Sequence, residues 1–286
     1  MKIGLFILLL ISQIVTSQNY NVPKNELALK KDGYFYAYNQ GRKVCNWIGY
    51  TITSADVAGN QSPLILFHKD DSIVNCASPS DYVGYSYAMG RLKPRSAARN
   101  SIHEMNAVHN MLNVVPMNMA FKKGAWRILD NMIAGWAVVF DSVFVITGPI
   151  YDLLEPKMIG DGRVNVPDKF FKVVLVRNGL DLGAIGFIIP NSNNANTLQQ
   201  YSMSIDSVEK YVGYNFFADL PEYLEDFTEE SFDADLWKDQ SISFKLKSAY
   251  IQNRQCIAAE KTDERCTTQT GCVTQNCWKH GCDLKK

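Results

Sequence analysis

Three runs of β-branched and other apolar residues lie in the middle of this chain: Ser142 to Ile150 (SVFVITGPI), Phe170 to Val176 and Ala184 to Ile189. Each is short, continuous and closed by a turn signal, the pattern of a buried strand rather than of a half-exposed one. Gly179-Leu180-Asp181-Leu182-Gly183 predicts the turn between the second and third runs, and Pro190-Asn191 ends the third. Earlier in the chain, the aromatic Tyr34 to Tyr38, a Gln40-Gly41 turn and the apolar Val44 to Thr53 predict a strand pair. Residues Val57 to Val83 are loop-rich, with Gly59, Pro63 and Pro79. Between Gly124 and Phe140, Trp126, Leu129, Met132, Ile133, Trp136 and Val139 recur near helical spacing. Ile205 to Tyr211 predicts a short helix with Asp206 and Glu209 near its positive end, and Ile242 to Tyr250 a further strand. Helices and strands are mixed without regular alternation, so the expected class is α+β.

A chain of 286 residues, 47% hydrophobic and 20% charged, can bury a sizeable core without crosslinks. Its 29 Lys+Arg balance 29 Asp+Glu. Nucleic-acid binders carry a basic excess because phosphate neutralisation dominates their affinity. The balance therefore weighs against a dedicated nucleic-acid binder, although a local basic patch escapes such a count. Glu222 to Asp233 forms an acidic, surface-type stretch. The motifs of α/β-hydrolases (G-x-S-x-G), zinc peptidases (H-E-x-x-H) and P-loop NTPases are absent.

Met1-Lys2, the mostly apolar Ile3 to Val15, and the small residues Val15 and Ser17 form a secretory signal pattern with cleavage near Ser17. The apolar run is short for a membrane span, and an uncleaved anchor is the competing reading. The expected division is a signal peptide over 1–17, a polar leader arm over 18–33, one folded domain over 34–250 and a cysteine-rich tail over 251–286. Secretion fits seven cysteines. Cys45 and Cys76 lie early and could bridge, whereas Cys256, Cys266, Cys272, Cys277 and Cys282 crowd the tail and leave one unpaired. Cys272, Cys277, His280 and Cys282 superficially suggest zinc, but their spacing matches no common finger. Disulfides are the simpler reading.

The stretch from Asn106 to Ile133, NAVHNMLNVVPMNMAFKKGAWRILDNMI, resembles the helix-and-loop signature of the DNA/RNA non-specific endonucleases, a ββα-metal family. Ala88-Met89-Gly90-Arg91-Leu92-Lys93-Pro94 stands where that family writes Asp-Arg-Gly-His-Leu-x-Pro, and Lys122-Lys123-Gly124-Ala125-Trp126 where it writes Asn-x-Gly-x-Trp. Further segments follow in the family's order: Tyr38 to Tyr50, Val145 to Ile150, Val166 to Val173, Phe187 to Asn191 and Ser204 to Pro221. The resemblance covers roughly Tyr34 to Phe227. It implies a central antiparallel sheet flanked by helices and a strand–strand–helix unit holding one magnesium ion. It also implies phosphodiester hydrolysis, with a histidine base and an asparagine metal ligand.

Both chemical requirements are altered here. Arg91 takes the base position, and a guanidinium stays protonated and offers no acceptor. Lys122 takes the metal-ligand position; an ammonium has no lone pair, and it repels a cation. At about 4 Å and an effective dielectric of about 20, two unit charges interact by about 4 kcal/mol, and magnesium carries two. Ala88 and Met89 replace the Asp-Arg pair, Asp130 replaces a glutamate and Met117 a glutamine. Gly90, Asn113, Gly124 and Trp126 remain as scaffold, and His109, four residues before Asn113, is the one candidate for a relocated base. The expectation is a secreted, nuclease-like protein without catalysis or metal. Its Arg91, Lys93, Arg95 and Lys122 would converge on nucleic acid or another polyanion, or serve only to keep the old site folded, and its tail would meet an extracellular protein partner. The alternative is an active nuclease with a rearranged site, in which Lys122 steadies the phosphate.

Overall fold

The apolar runs become the centre of an antiparallel sheet. The structure, a computed structural model, describes residues 22–63, 66–140, 142–178, 181–193, 197–218 and 220. The signal segment, the acidic stretch, the Ile242 to Tyr250 run and the five tail cysteines lie outside the described residues. Strands β1 (Leu29–Lys31), β2 (Tyr34–Asn39), β3 (Val44–Ile52), β6 (Ser142–Ile150), β9 (Lys169–Asn178), β10 (Asp181–Pro190) and β11 (Ser202–Met203) pair in the order β1-β2-β3-β6-β9-β10-β11. Every pairing is antiparallel. The two longest strands run further toward their turn than the Gly-Leu-Asp-Leu-Gly signal implies, because the ladder continues through Leu182↔Arg177 to Asp181↔Asn178. Part of the expected leader arm, β1, belongs to the sheet.

Continuous apolar runs are required because both faces of the sheet are covered. On β9 and β10, Phe170, Val174, Val176, Ile185, Phe187 and Ile189 point into the larger core. Their alternates Phe171, Val173, Leu175, Ala184 and Ile188 point into a second core on the opposite face. Helix α5 (Ile205–Val212) closes the second core through Ile205 and Val208. The Ser204 hydroxyl caps it by accepting from the Ser207 amide, and Gly213, at φ +77°, ends it in the left-handed conformation that glycine adopts freely.

The larger core packs the sheet against α4 (Arg127–Val139), whose Leu129, Ile133, Trp136 and Ala137 form one buried stripe. Val139, expected on that stripe, is exposed at the helix end. Just ahead of the loop-rich stretch a short α1 (Ser54–Ala58) forms under a Thr53–Asp56 capping box, α2 (Ile102–Ala107) starts at a Ser101 cap, and β7 (Met158–Ile159) pairs with β8 (Val164–Asn165) outside the main sheet. Among the described residues no helix is long and apolar enough to cross a membrane.

One buried carboxylate ties the edge strand to this core. Asp70 accepts from Lys31 Nζ at 2.6 Å, from Asn110 Nδ2 at 2.8 Å, and from the Ser72 amide and hydroxyl. Burial alone would raise its pKa, but the hydrogen bonds from Lys31 and Ser72 overcome this and hold it at about 2. A folded-state pKa below the unfolded one gives stability that is complete above the ordinary carboxylate range of about 4 and is lost as pH falls through the folded value. Asp70→Asn should therefore lower Tm at pH 7. It should also flatten the acid limb of a Tm–pH profile between about pH 4 and pH 2.

Cys45 and Cys76 are buried free thiols, which corrects the expected bridge between them. Cys45 faces inward on β3, where its Sγ donates to the Leu112 carbonyl at 3.1 Å, and the Cys76 thiol lies against the Tyr38 hydroxyl. Each sulfur is thus engaged with a different neighbour. Burial pushes the Cys45 thiol well up, so it is a packing residue rather than a nucleophile.

Candidate active site and anion cleft

A hairpin and a helix make the site. Strands β4 (Tyr87–Arg91) and β5 (Val114–Asn118) pair from Tyr87↔Asn118 to Arg91↔Val114. Alternation places Tyr87, Met89 and Arg91 on one face and Ala88 and Gly90 on the other. Gly90 cannot carry a side chain, since a Cβ there would lie 2.2 Å from the Met117 sulfur. Asn118 then caps α3 (Met119–Phe121) by accepting from the amides of Ala120 and Phe121. A π turn (Lys122–Trp126) follows, within which Gly124 leaves helical angles, and α4 continues from it.

Two hydrogen-bond sets lock the hairpin to its surroundings. Trp126 Nε1 donates to the Arg91 carbonyl at 3.0 Å, joining the helix to the strand at the base position. Asn113 Oδ1 accepts from the Lys93 amide at 2.7 Å, and its Nδ2 donates to the carbonyls of Lys93 and Val108. These bonds make Asn113 and Trp126 part of the scaffold.

The cations gather on the exposed side of this unit. The Arg91 guanidinium lies 4.4 Å from the Phe67 ring centroid, and its Nε is buried without a hydrogen-bond partner among the described residues. Burial, and then the charge of Arg95, push Arg91 down to about 10. Lys122 is lowered by burial, then by Arg91, then by Lys123. Positive charge therefore gathers around Arg91: Arg95 acts on it, and it acts on Lys122. No anionic side chain pairs with Arg91 or Lys122 among the described residues.

Three expected members stand elsewhere. Lys93 does not reach the cleft; its side chain is fully buried, with Nζ donating to the Gly33 carbonyl and to Glu104, both at 2.7 Å. It follows β4, where Asn113 holds its backbone and directs the side chain away from Arg91 into the protein. Asp130 is held under the Trp126 ring by Lys172, whose Nζ donates at 2.5 Å and sits 3.8 Å from the Trp126 ring centroid. Burial pushes the Asp130 carboxyl up and the Lys172 ammonium down, and each partner's charge opposes the other's shift. His109 is 4% exposed and tilted against Phe67 at 5.5 Å. Its Nδ1–H donates to the Met105 carbonyl at 2.8 Å, which leaves the lone pair on Nε2. Burial first, and then Arg91, Arg95 and His68, keep its pKa below the usual histidine range, against the opposing pull of the Met105 bond.

The donor set does not fit a magnesium ion. The position that the resemblance assigns to the metal ligand carries the Lys122 ammonium, the Asn118 oxygen is spent on the helix cap, and Asp130 is committed to Lys172. Among the described residues no group of three or more His, Cys, Asp and Glu could hold a metal.

Sequence reasoning missed Phe67, which supports Arg91, and Lys172, which takes Asp130. Lys172 could have been found: two residues from Phe170 and two from Val174, it must share their inward face on β9.

Comparisons with known proteins agree with this geometry. The profile of the DNA/RNA non-specific endonucleases matches residues 12–223. A nuclease of Syncephalastrum racemosum is 26% identical over 219 residues, covering 67% of this chain and 68% of that protein. Mitochondrial nuclease EXOG of Mus musculus is 25% identical over 204 residues, covering 64% of this chain and 55% of that protein, so the chain spans about half of that relative. The nuclease of Serratia marcescens is 23% identical over 210 residues, covering 69% of this chain and 77% of that protein. In a crystal structure of the EndoG/EndoGI complex, a chain sharing 23% identity superposes with a TM-score of 0.67, covering 74% of this chain and 93% of its own. With its ββα unit on a central antiparallel sheet, this chain belongs to the DNA/RNA non-specific endonuclease family.

Proposed function

We propose that this chain is a non-hydrolysing member of its family, which holds an anionic ligand where its relatives would cut one. The observation that carries this reading is the pair of cations on the ββα unit: Arg91 at the position of the base, and Lys122 at the position of the metal ligand. Hydrolysis would need a proton acceptor at the first position and an oxygen ligand at the second. A guanidinium whose Nε has no partner, near an ammonium that has no counter-ion, among the described residues, instead favours an anion that accepts several charged hydrogen bonds.

Secretion belongs to the same proposal and is supported by residues 1–17, whose pattern is that of a signal peptide. The odd count of five tail cysteines supports a contact with an extracellular protein partner.

The direct test incubates the protein with supercoiled plasmid and with single-stranded RNA, in magnesium, manganese or EDTA. No cleavage is expected in any of them. Heparin and duplex DNA should bind at low salt and weaken at moderate salt. Arg91→Ala and Lys122→Ala should each weaken heparin binding about tenfold, the scale of one charge-assisted hydrogen bond. Unchanged affinity in both variants would remove the anion cleft. The second reading, an active nuclease, draws on one feature: Met105 orients His109, whose ring packs on the same Phe67 that carries Arg91. Cleavage that disappears in His109→Gln would establish it.

A further inference from the structure

Beside the cations lies a cavity of about 300 Å³ that the positive cluster alone does not explain. Its walls include Phe67, Tyr82, Tyr87, Met89, Met119 and Lys122. Among these, three aromatic rings and two thioethers surround a single charged group. A second ammonium, that of Lys157, sits 5.0 Å from the Tyr87 ring centroid. The Phe67 ring is shared, lining the cavity while carrying the Arg91 guanidinium. The pocket is therefore largely apolar, with cations on its aromatic rings.

This lining suits a particular chemistry. Aromatic faces and methionine sulfurs pack against a planar ring, each contact adding to the area removed from water. The volume is at the small end of the range of about 300–1,000 Å³ for ligand pockets, enough for a single-ring compound. A polymer backbone would instead require a track of cations, one per phosphate neutralised. Lys122 is the one charged residue of the pocket wall, so the pocket itself is matched to a single anionic group, whatever the cations outside it hold.

We propose that the pocket binds a small aromatic anion, a single ring esterified to phosphate or sulfate, with the ring in the aromatic slot and the anionic group at Lys122 and Arg91. This rests on the anion-cleft reading above and adds the ligand's size and its apolar body. No bond is made or broken.

The test titrates the full chain, by calorimetry at low salt, with phenyl phosphate, phenyl sulfate, butyl phosphate and inorganic phosphate. Phenyl phosphate should bind at least about tenfold tighter than inorganic phosphate, since the ring contributes its buried area, and tighter than the flexible butyl ester. The phenyl sulfate arm reports which oxyanion the cations prefer. Lys122→Met should weaken every anion. Tyr87→Ala should weaken the phenyl esters and leave inorganic phosphate unchanged. If Tyr87→Ala does not fold, Met119→Ala, at a half-exposed wall position, replaces it with the same expectation. Equal affinity for phenyl and inorganic phosphate overturns the aromatic slot while the anion cleft stands. So does the absence of phenyl phosphate binding in a protein that retains Arg91-dependent heparin binding. Loss of all anion binding overturns both readings.

Discussion

Magnesium-dependent nicking of plasmid is the expected result when Ala88→Asp, Met89→Arg, Arg91→His and Lys122→Asn are introduced together, and no nicking is expected from the parent. The substitutions return an acceptor to the base position and an oxygen ligand to the helix. A positioned general base contributes about 10²–10⁴ in rate, and a divalent ion adds several kcal/mol of charge stabilisation. The gain should thus exceed two orders of magnitude over any background. At positions 89, 91 and 122 the scaffold is already arranged for the change. The new residue 91 would still be placed by the bond from Trp126 Nε1, which needs only the backbone carbonyl of residue 91. Met89 and Arg91 share one face of β4, so their replacements would face the cleft together. Residue 122 would stay in the π turn behind the Asn118 cap. Omitting Lys122→Asn should abolish the gain, because an ammonium at that point repels magnesium. A quadruple variant that folds like the parent and binds DNA, yet never cuts, would mean that the scaffold has drifted beyond restoring these four positions.

The fold was legible wherever burial is two-sided. Ser142 to Ile150, Phe170 to Val176 and Ala184 to Ile189 carry apolar residues on both alternating faces, and a strand covered by two cores leaves no other reading. The β4–β5 hairpin was different. Its residues, YAMGR and VVPMN, contain a proline and a glycine and no clear period, so only the family's motif order announced it. In the site, residue chemistry was readable but direction was not. Lys93, two residues from Arg91, turns into the protein toward Glu104. That turn depends on Asn113 gripping the Lys93 backbone from the far end of a loop, a long-range contact that local spacing does not encode. The same holds for Cys45 and Cys76, whose sulfurs are claimed by Leu112 and Tyr38. Phe67 gave no signal at all, being one aromatic residue in a stretch read only as loop.

Lys172→Met should cost the protein about 3–5 kcal/mol of stability in urea unfolding at pH 7, because it strands the Asp130 carboxylate in the core. The Asp130 side chain is 13% exposed, and among the described residues its ion pair is with Lys172 alone. Asp130→Leu combined with Lys172→Met should recover most of the loss, as a desolvated ion pair is often no better than apolar side chains of similar volume. The pH dependence separates this explanation from simple loss of packing. Burial already raises the Asp130 pKa, and removing Lys172 removes the charge that opposed the rise. A carboxyl whose folded pKa lies above its unfolded one is tolerated while protonated, and it costs stability as pH climbs through the folded value. The Lys172→Met deficit should consequently be small near pH 4 and grow toward pH 7, whereas a packing defect would be nearly constant with pH. Heparin affinity should not change, because the pair lies under the helix rather than among Arg91, Arg95 and Lys122. A deficit independent of pH would show instead that Lys172 matters through its stem against Trp126, 3.8 Å from its ammonium, and that the family's carboxylate position persists here for shape alone.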